Sequence, residues 1–572
     1  MLFPSSLELL PDEILLQICQ YLRGADVFFS FYNLNSRLNT TIRGYCHYVN
    51  LTAVSYKQFE YAVRDVLPQI GHLVRSFVLN GNWETIIHSN LSSILFVSHL
   101  SNLFPRIRKL LIKWFQSEKL LSFVTSLRDL PELTELDIRF LKGNAVNFLL
   151  ENVLSANQNR LSIVSFDHDS TDLNLSDEKD PTSYPHIEQL SVNLTLSKFI
   201  PCLFRLVPNV WQLYLSIDEL SNDTKCKSVI VNLSPLVRLT HFRLRTINLF
   251  WTFEDIACIL KAMPALEQLT LDLRTDDRRL VTKENLRTLL PSSLLRMDYF
   301  IRYYTPSKSD TKFEHHDSFS APHSPIISML DSPRHRFIIC TIPCNLYAVI
   351  LPATVSKQMP EGWNYMNQTK DLHICDITSI AEILLILRHF RNLKILTLDA
   401  KDKVQVLTLP AQSPSVDIKL PFLKQIEVSG VLDLSPILYG APNVDYLIIY
   451  YDSLKILLDD ESTFRLLQTQ LIRINIIDWV DLESDLLERI AQLHSLRHIV
   501  ITLKNPESVI NAFVLKILSF WKDKSRLSID VKGSLTPTAP LDLRQWLIAH
   551  SHIKPEDSFT VECNNNWFDL WF

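Results

Sequence analysis

The nine glycines stand at positions 24, 44, 71, 81, 143, 362, 430, 440 and 533, no two within five residues of one another. A loop that cradles phosphate needs clustered glycines so that its backbone can approach closely, and that cluster is missing from both the Walker-type and the dinucleotide-binding pattern. No Gly-x-Ser-x-Gly elbow presents a nucleophile. Cys340 and Cys344 lie near His335, and His315, His316 and His323 follow one another nearby. Without a Cys-x-x-Cys pair, these read as two buried strand thiols and solvated loop histidines rather than a zinc site. Asp459-Asp460-Glu461 reads as a solvated approach to a helix rather than acid/base machinery. The expectation is a chain with no catalytic residue, no cofactor and no metal, which is not itself an enzyme.

Bulk properties narrow the classes further. The chain has 572 residues, a net charge of -5 and 47% hydrophobic residues. Length alone would suggest roughly four domains of about 150 residues. The charge lacks the basic excess of a nucleic-acid binder. The opening "MLFPSSLELLPDE" has no basic stretch and does not read as a secretory signal. The sequons at Asn50 and Asn193 are therefore expected to stay unglycosylated. Nine scattered cysteines fit reduced thiols in the cytoplasm or nucleus. The uncharged run 337–355 is long enough to cross a bilayer, but Pro343 and Pro352 interrupt it, and two short buried strands fit it better.

Any surface on this chain is positioned by one recurring phrase, apolar-x-x-apolar-x-apolar, often preceded by proline. It occurs as "PRIRKLLI" (105–112), "PELTELDI" (131–138), "PHIEQLSV" (185–192), "PNVWQLYL" (208–215) and "PALEQLTL" (264–271). It returns as "RNLKILTL" (391–398), "PFLKQIEV" (421–428), "PNVDYLII" (442–449), "QLIRINII" (470–477) and "HSLRHIVI" (494–501). Its central apolar residues Leu110, Leu136, Val164, Leu190, Leu213, Phe242 and Leu269 fall roughly 23 to 29 residues apart, the period of leucine-rich repeats. Helical patterns fill the intervals, as in 146–156, 253–263 and 379–390. Strand, helix, strand at a fixed period predicts an α/β solenoid, curved, with parallel strands on the concave face and helices on the convex face. Residues 305–325, rich in Ser, Pro and His, interrupt it, so a mobile insertion is expected near 302–336. Thr305, Ser324 and Ser332 each precede a proline there and are candidate kinase sites, though a passive spacer is the simpler reading.

In the late repeats the residues flanking the strand core change character. Tyr446, Ile448, Tyr450, Arg473, Asn475, Ile477 and Trp479 combine aromatic, apolar and guanidinium groups, the usual composition of binding hot spots. They are expected to face a protein substrate, unless a loop or the terminal "WFDLWF" (567–572) folds over them. Arg243 and Arg245 beside Phe242 have the chemistry to meet a phosphate; their simpler reading is a solvated face.

At the other end, "LPDEILLQICQYL" (10–22) is an amphipathic helix with its apolar residues Ile14, Leu15, Ile18 and Leu22 on one stripe. Pro11, Asp12 and Glu13 suit a helix N-terminus, and Gly24 is expected to end it. Two further apolar helices are expected over 25–35 and 36–45. The order Leu10, Pro11, Glu13, Ile14, Leu15, then Asp26-Val27, then Asn35-Ser36-Arg37 resembles the F-box. Cys19, Gly24 and Leu38 depart from that family, where Phe, Pro and an aromatic are usual. The resemblance covers about residues 4–50, and with repeats over 51–572 the whole is similar to F-box/leucine-rich-repeat proteins.

That resemblance implies a three-helix F-box that docks on a Skp-type adaptor, and through it a cullin scaffold, using Leu10, Pro11, Ile14, Leu15, Ile18 and Leu22. It also implies that the repeats hold a protein substrate for ubiquitin transfer by other subunits, with the chain a monomer within the complex and neither nucleic acid nor membrane as partner. The alternative is a repeat scaffold that binds partners without a ligase, its first helix merely capping the solenoid. The repeats are too degenerate to name a substrate.

Overall fold

In the computed structural model the chain divides into two compact units, Met1–Met297 and Asp298–Phe572. All residues are described except 1–9, 21, 23, 53, 55, 81–99, 144–147, 176–181, 218–232, 306–319, 322–323, 360–367, 409–417, 481–483, 505–509, 522–526, 533–541, 558 and 565–566. Two units, rather than four, follow from the repeat: each strand closes only on its neighbours, so no globular size limit divides the array.

Unit one begins with three short helices, α1 (Asp12–Gln20), α2 (Gly24–Phe31) and α3 (Ser36–Thr41). Gly24, expected to end the first helix, opens the second. Nine strands follow: β1 (Tyr48–Asn50), β2 (Ser76–Asn80), β3 (Lys109–Lys113), β4 (Glu135–Arg139), β5 (Ile163–Phe166), β6 (Gln189–Leu194), β7 (Gln212–Ile217), β8 (His241–Phe250) and β9 (Gln268–Thr275). Each pairs in parallel with the next. The three apolar positions of the repeated phrase explain why. In one copy Leu133, Leu136 and Ile138 are all fully buried, and each is worth about 1.5–3 kcal/mol on leaving water.

Unit two opens with antiparallel sheet, β10 (Arg296–Tyr304), β11 (Ser320–Ala321), β12 (Ser324–Asp331) and β13 (Arg336–Thr341). Here β10 pairs β13, β13 pairs β12 and β12 pairs β11. The described part of the expected mobile insertion near 302–336 is thus largely sheet; residues 306–319 and 322–323, with His315, His316 and His323, lie outside the described residues. A buried ion pair fixes the β12–β13 hairpin: Arg336 Nε donates to Asp331 Oδ2 at 2.7 Å, and Thr354 Oγ1 to Asp331 Oδ1 at 2.9 Å. Ser332 and Pro333 sit exposed in its turn.

The repeat then resumes in parallel as β14 (Ala348–Pro352), β15 (Asp371–Ile377), β16 (Ile395–Ala400), β17 (Gln425–Ser429), β18 (Tyr446–Tyr450), β19 (Arg473–Trp479), β20 (His498–Leu503) and β21 (Ser528–Lys532). β22 (Thr560–Asn564) pairs β23 (Trp567–Trp571), which runs antiparallel to β21. The terminal aromatic run therefore extends the sheet, with Phe568 and Leu570 in the core, instead of folding over its face. The uncharged run 337–355 is two strands, β13 and β14, as its prolines suggest. Among the described residues no helix is long and apolar enough to cross a membrane.

With so few glycines, left-handed backbone at strand ends falls to other residues. Trp114, Phe140, Asp376 and Asp478 all have φ between 55° and 64°. The Trp114 and Phe140 rings stack with centroids 4.3 Å apart, under the Lys142 ammonium. Among the glycines Gly143 adopts it at φ 97°, and so does Gly430, at φ 112°. A Cβ built there would stand 2.6 Å from the Ala400 Cβ. Gly430→Ala is therefore expected to cost about 1–3 kcal/mol, read as a lower urea midpoint; an unchanged midpoint would contradict this packing.

Candidate interaction surfaces

The N-terminal surface is built on a link between the start of α1 and the start of α3. The Pro11 carbonyl accepts from the Ile14 and Leu15 amides, both at 3.1 Å, which starts the helix. Asn35 caps α3 by accepting from the Leu38 amide. One residue into α3, the Arg37 guanidinium pairs with Asp12 at 2.8 Å and donates to the Leu10 carbonyl at 2.5 Å. The motif residues at 10–13 and 35–37, separate in sequence, thus hold one another.

The apolar stripe expected on α1 divides in two. Leu15 and Cys19 turn inward, 1% and 2% exposed, so Cys19 serves as a core residue. Ile14 and Leu22 turn outward, 39% and 38% exposed, with Ile18 half-buried between them. Leu10 is half-buried and Pro11 exposed. Periodicity did not find Phe29, Leu34 and Tyr48, which are also exposed. Phe29 turns outward beside the buried Phe28, and its ring meets Tyr61 edge-on at 5.6 Å.

The second surface is the face of the unit-two sheet turned away from the helices. Along β18, Leu447 and Ile449 are fully buried, while Tyr446, Ile448 and Tyr450 are half-buried on the other side. The register aligns Tyr446 with Arg473, Ile448 with Asn475 and Tyr450 with Ile477, so six of the seven expected residues share one patch. The Arg473 guanidinium lies 4.5 Å from the Tyr446 ring centre. Burial, with Glu427 and Asp530 nearby, pushes the Tyr446 hydroxyl above its ordinary pKa.

Trp479 is the seventh, and it is corrected. Asp478 adopts φ 57°, and the β19–β20 register shifts between Ile476 and Trp479. That irregularity re-aims the indole into the core, 1% exposed. It meets Tyr451 and Phe513 edge-on at 5.1 and 5.7 Å.

The remaining polar groups have structural roles. Cys340 and Cys344 are fully buried, and burial pushes the Cys340 thiol up to about 12, so it stays protonated. Asp460 caps a helix by accepting from the Thr463 hydroxyl at 2.6 Å and the Thr463 amide at 2.9 Å, and those bonds hold its carboxyl below the usual range. Arg245 is buried beside Asp272 at 3.6 Å. The Asn193 amide is buried and donates to the Asp167 and Ser170 carbonyls, which leaves no space for a glycan.

No family model matches the chain, and no curated protein matches it. Among solved structures, a leucine-rich-repeat protein of Leptospira interrogans is 15% identical over 73% of this chain and 90% of that one, with a TM-score of 0.21. The leucine-rich-repeat-like architecture rests on the chain's own strand order and period.

The two aromatic positions of β18 and β19 separate core from surface. Trp479→Ala is expected to cost about 3–5 kcal/mol of stability. Tyr450→Ala, half-buried on the open face, is expected to cost less than half as much. Equal losses in a denaturant titration would place both side chains in the same environment and contradict this assignment.

Proposed function

We propose that this chain is the substrate-recognition subunit of a Skp–cullin–F-box ubiquitin ligase. In this reading the chain is non-catalytic: its N-terminal helices dock on the Skp-type adaptor and its repeats hold a protein substrate. The observation that carries the reading is that Ile14, Leu22, Phe29, Leu34 and Tyr48, all large and apolar, stand exposed within the short stretch of sequence that opens with Leu10-Pro11-Asp12-Glu13. A local excess of apolar surface marks a site that a partner covers. Burying each side chain would contribute at most about 1.5–3 kcal/mol. The Arg37 link would hold the opening in place before the adaptor arrives. The same reading gives the open face of unit two, around Tyr446, Ile448, Tyr450, Arg473, Asn475 and Ile477, to the substrate, and places the complex in the cytoplasm or nucleus.

A second reading has its own support. Residues Tyr48–Asn50, directly after the helices, form β1 and pair with β2, and Asp26 on α2 accepts a hydrogen bond from Gln58 at 2.8 Å. Such continuity suits helices that cap a non-ligase repeat scaffold. Co-purification of the chain with a Skp-type adaptor and a cullin separates the two readings. Ile14→Asp with Leu22→Asp is expected to cut adaptor capture at least tenfold with the melting temperature kept, because both side chains face outward. Leu15→Asp is expected to unfold the helices. Wild-type capture by the first pair would leave the capping reading.

A further inference from the structure

We infer that the outer edge of β12 is a strand-addition site for an extended peptide segment, with apolar residues on either side of a hydroxyl or amide residue, and that the Gln358 side chain holds the place of one residue of that segment. The site is an edge, distinct from the open face given to the substrate, and does not depend on that reading. β12 has β13 on one side and the two-residue β11 on the other. β11 covers only Ser324 and Pro325. The register shows which main-chain groups point outward beyond them. The Pro325 carbonyl accepts the Ile342 amide at 2.8 Å, toward β13. Direction alternates along an antiparallel strand, so Ile327, Met329 and Asp331 bond inward, while Ile326, Ser328 and Leu330 present N–H and C=O to the outside.

At Leu330 a side chain meets the outward groups. The Leu330 amide donates to Gln358 Oε1 at 2.6 Å, and its carbonyl accepts from Gln358 Nε2 at 2.7 Å. One primary amide thus makes both bonds that a residue of an added strand would make, and Gln358 is exposed, so a strand can displace it. At Ile326 and Ser328 no described residue plays that part. Unpaired edge groups of this kind are a template for a further strand. The Ser328 hydroxyl is a second, independent sign: its Oγ is buried and makes no hydrogen bond among the described residues. A buried hydroxyl left unmet is costly, and a polar side chain directly across from it on an added strand supplies the partner. On the opposite face Met329 lies in the core and Ile327 packs against it. The residues added beside those two continue the core and are therefore apolar.

Amide exchange of the full-length chain reads whether the edge is open. The Ile326 and Ser328 amides are expected to exchange at least tenfold faster than those of Ile327 and Met329. Random peptides of about ten residues, panned on the same chain, are expected to enrich for apolar residues alternating around Ser, Thr or Asn. Ser328→Pro removes an outward N–H that an edge strand can spare, and is expected to cut capture of that pool at least tenfold with the melting temperature kept. Ser328→Ala keeps the N–H and is expected to retain most of the capture, and Gln358→Ala to raise it at least threefold. Should Ser328→Pro melt low, the same loss is read from pool peptides N-methylated at alternate residues. Slow exchange at all four amides, no enrichment, equal capture by Ser328→Pro or by the N-methylated peptides, or capture unmoved by Gln358→Ala overturns the inference. A wild-type dimer that Ser328→Pro dissolves gives the edge to a second copy and overturns the choice of partner.

Discussion

One backbone carbonyl per repeat sets the geometry of this molecule. The Arg75 carbonyl accepts the amides of both Arg108 and Lys109, at 2.8 and 3.0 Å. The Arg108 carbonyl then accepts those of Thr134 and Glu135, and the Thr134 carbonyl those of Ser162 and Ile163. The same relay runs in unit two from Tyr347 through Lys370, Lys394, Lys424, Asp445 and Ile472. Each shared carbonyl sits just ahead of a strand, so it sets the register of the next one. Because side chains alternate along a strand, that register decides which residues enter the core and which stay on the open face. A slip of one residue would bury Tyr446, Ile448 and Tyr450 and expose Leu447 and Ile449.

The apolar side chains follow from this constraint. Three buried aliphatics per repeat pack under the sheet, and the residues between them are freed from packing. Selection could therefore diversify the open face without disturbing the fold, which is why one side of β18 is aliphatic and the other carries two tyrosines. The helices at the N-terminus obey a different rule. They are too short to bury a full apolar circumference, so Leu15 and Cys19 pack at home while Ile14 and Leu22 remain outward. The Arg37 guanidinium, tied to Leu10 and Asp12, joins the two ends of the motif without helping to bury that outer stripe.

The repeat was legible because its apolar spacing is both periodic and buried: Leu136, Leu190, Leu213 and Leu269 all sit where the phrase puts them. The failures have physical causes. Trp479 was expected outward by strict alternation, but a left-handed Asp478 inserts an irregularity that no periodicity reveals. Residues 324–331 looked like part of a polar insertion, and became a strand whose Asp331 is neutralised inside by Arg336 of the next strand. Phe29, Leu34 and Tyr48 escaped notice because hydrophobicity alone ranks them as core. Only three-dimensional packing shows which apolar residues a small module cannot cover.

The central claim is that the outward apolar residues of α1 and α2 belong to a partner. Amide hydrogen exchange of the full-length chain, with and without a purified Skp-type adaptor, tests it most directly. The account predicts that the adaptor slows exchange across residues 10–34 by at least tenfold and leaves β18 and β19 unchanged. Identical exchange at 10–34 in the presence of saturating adaptor would contradict it.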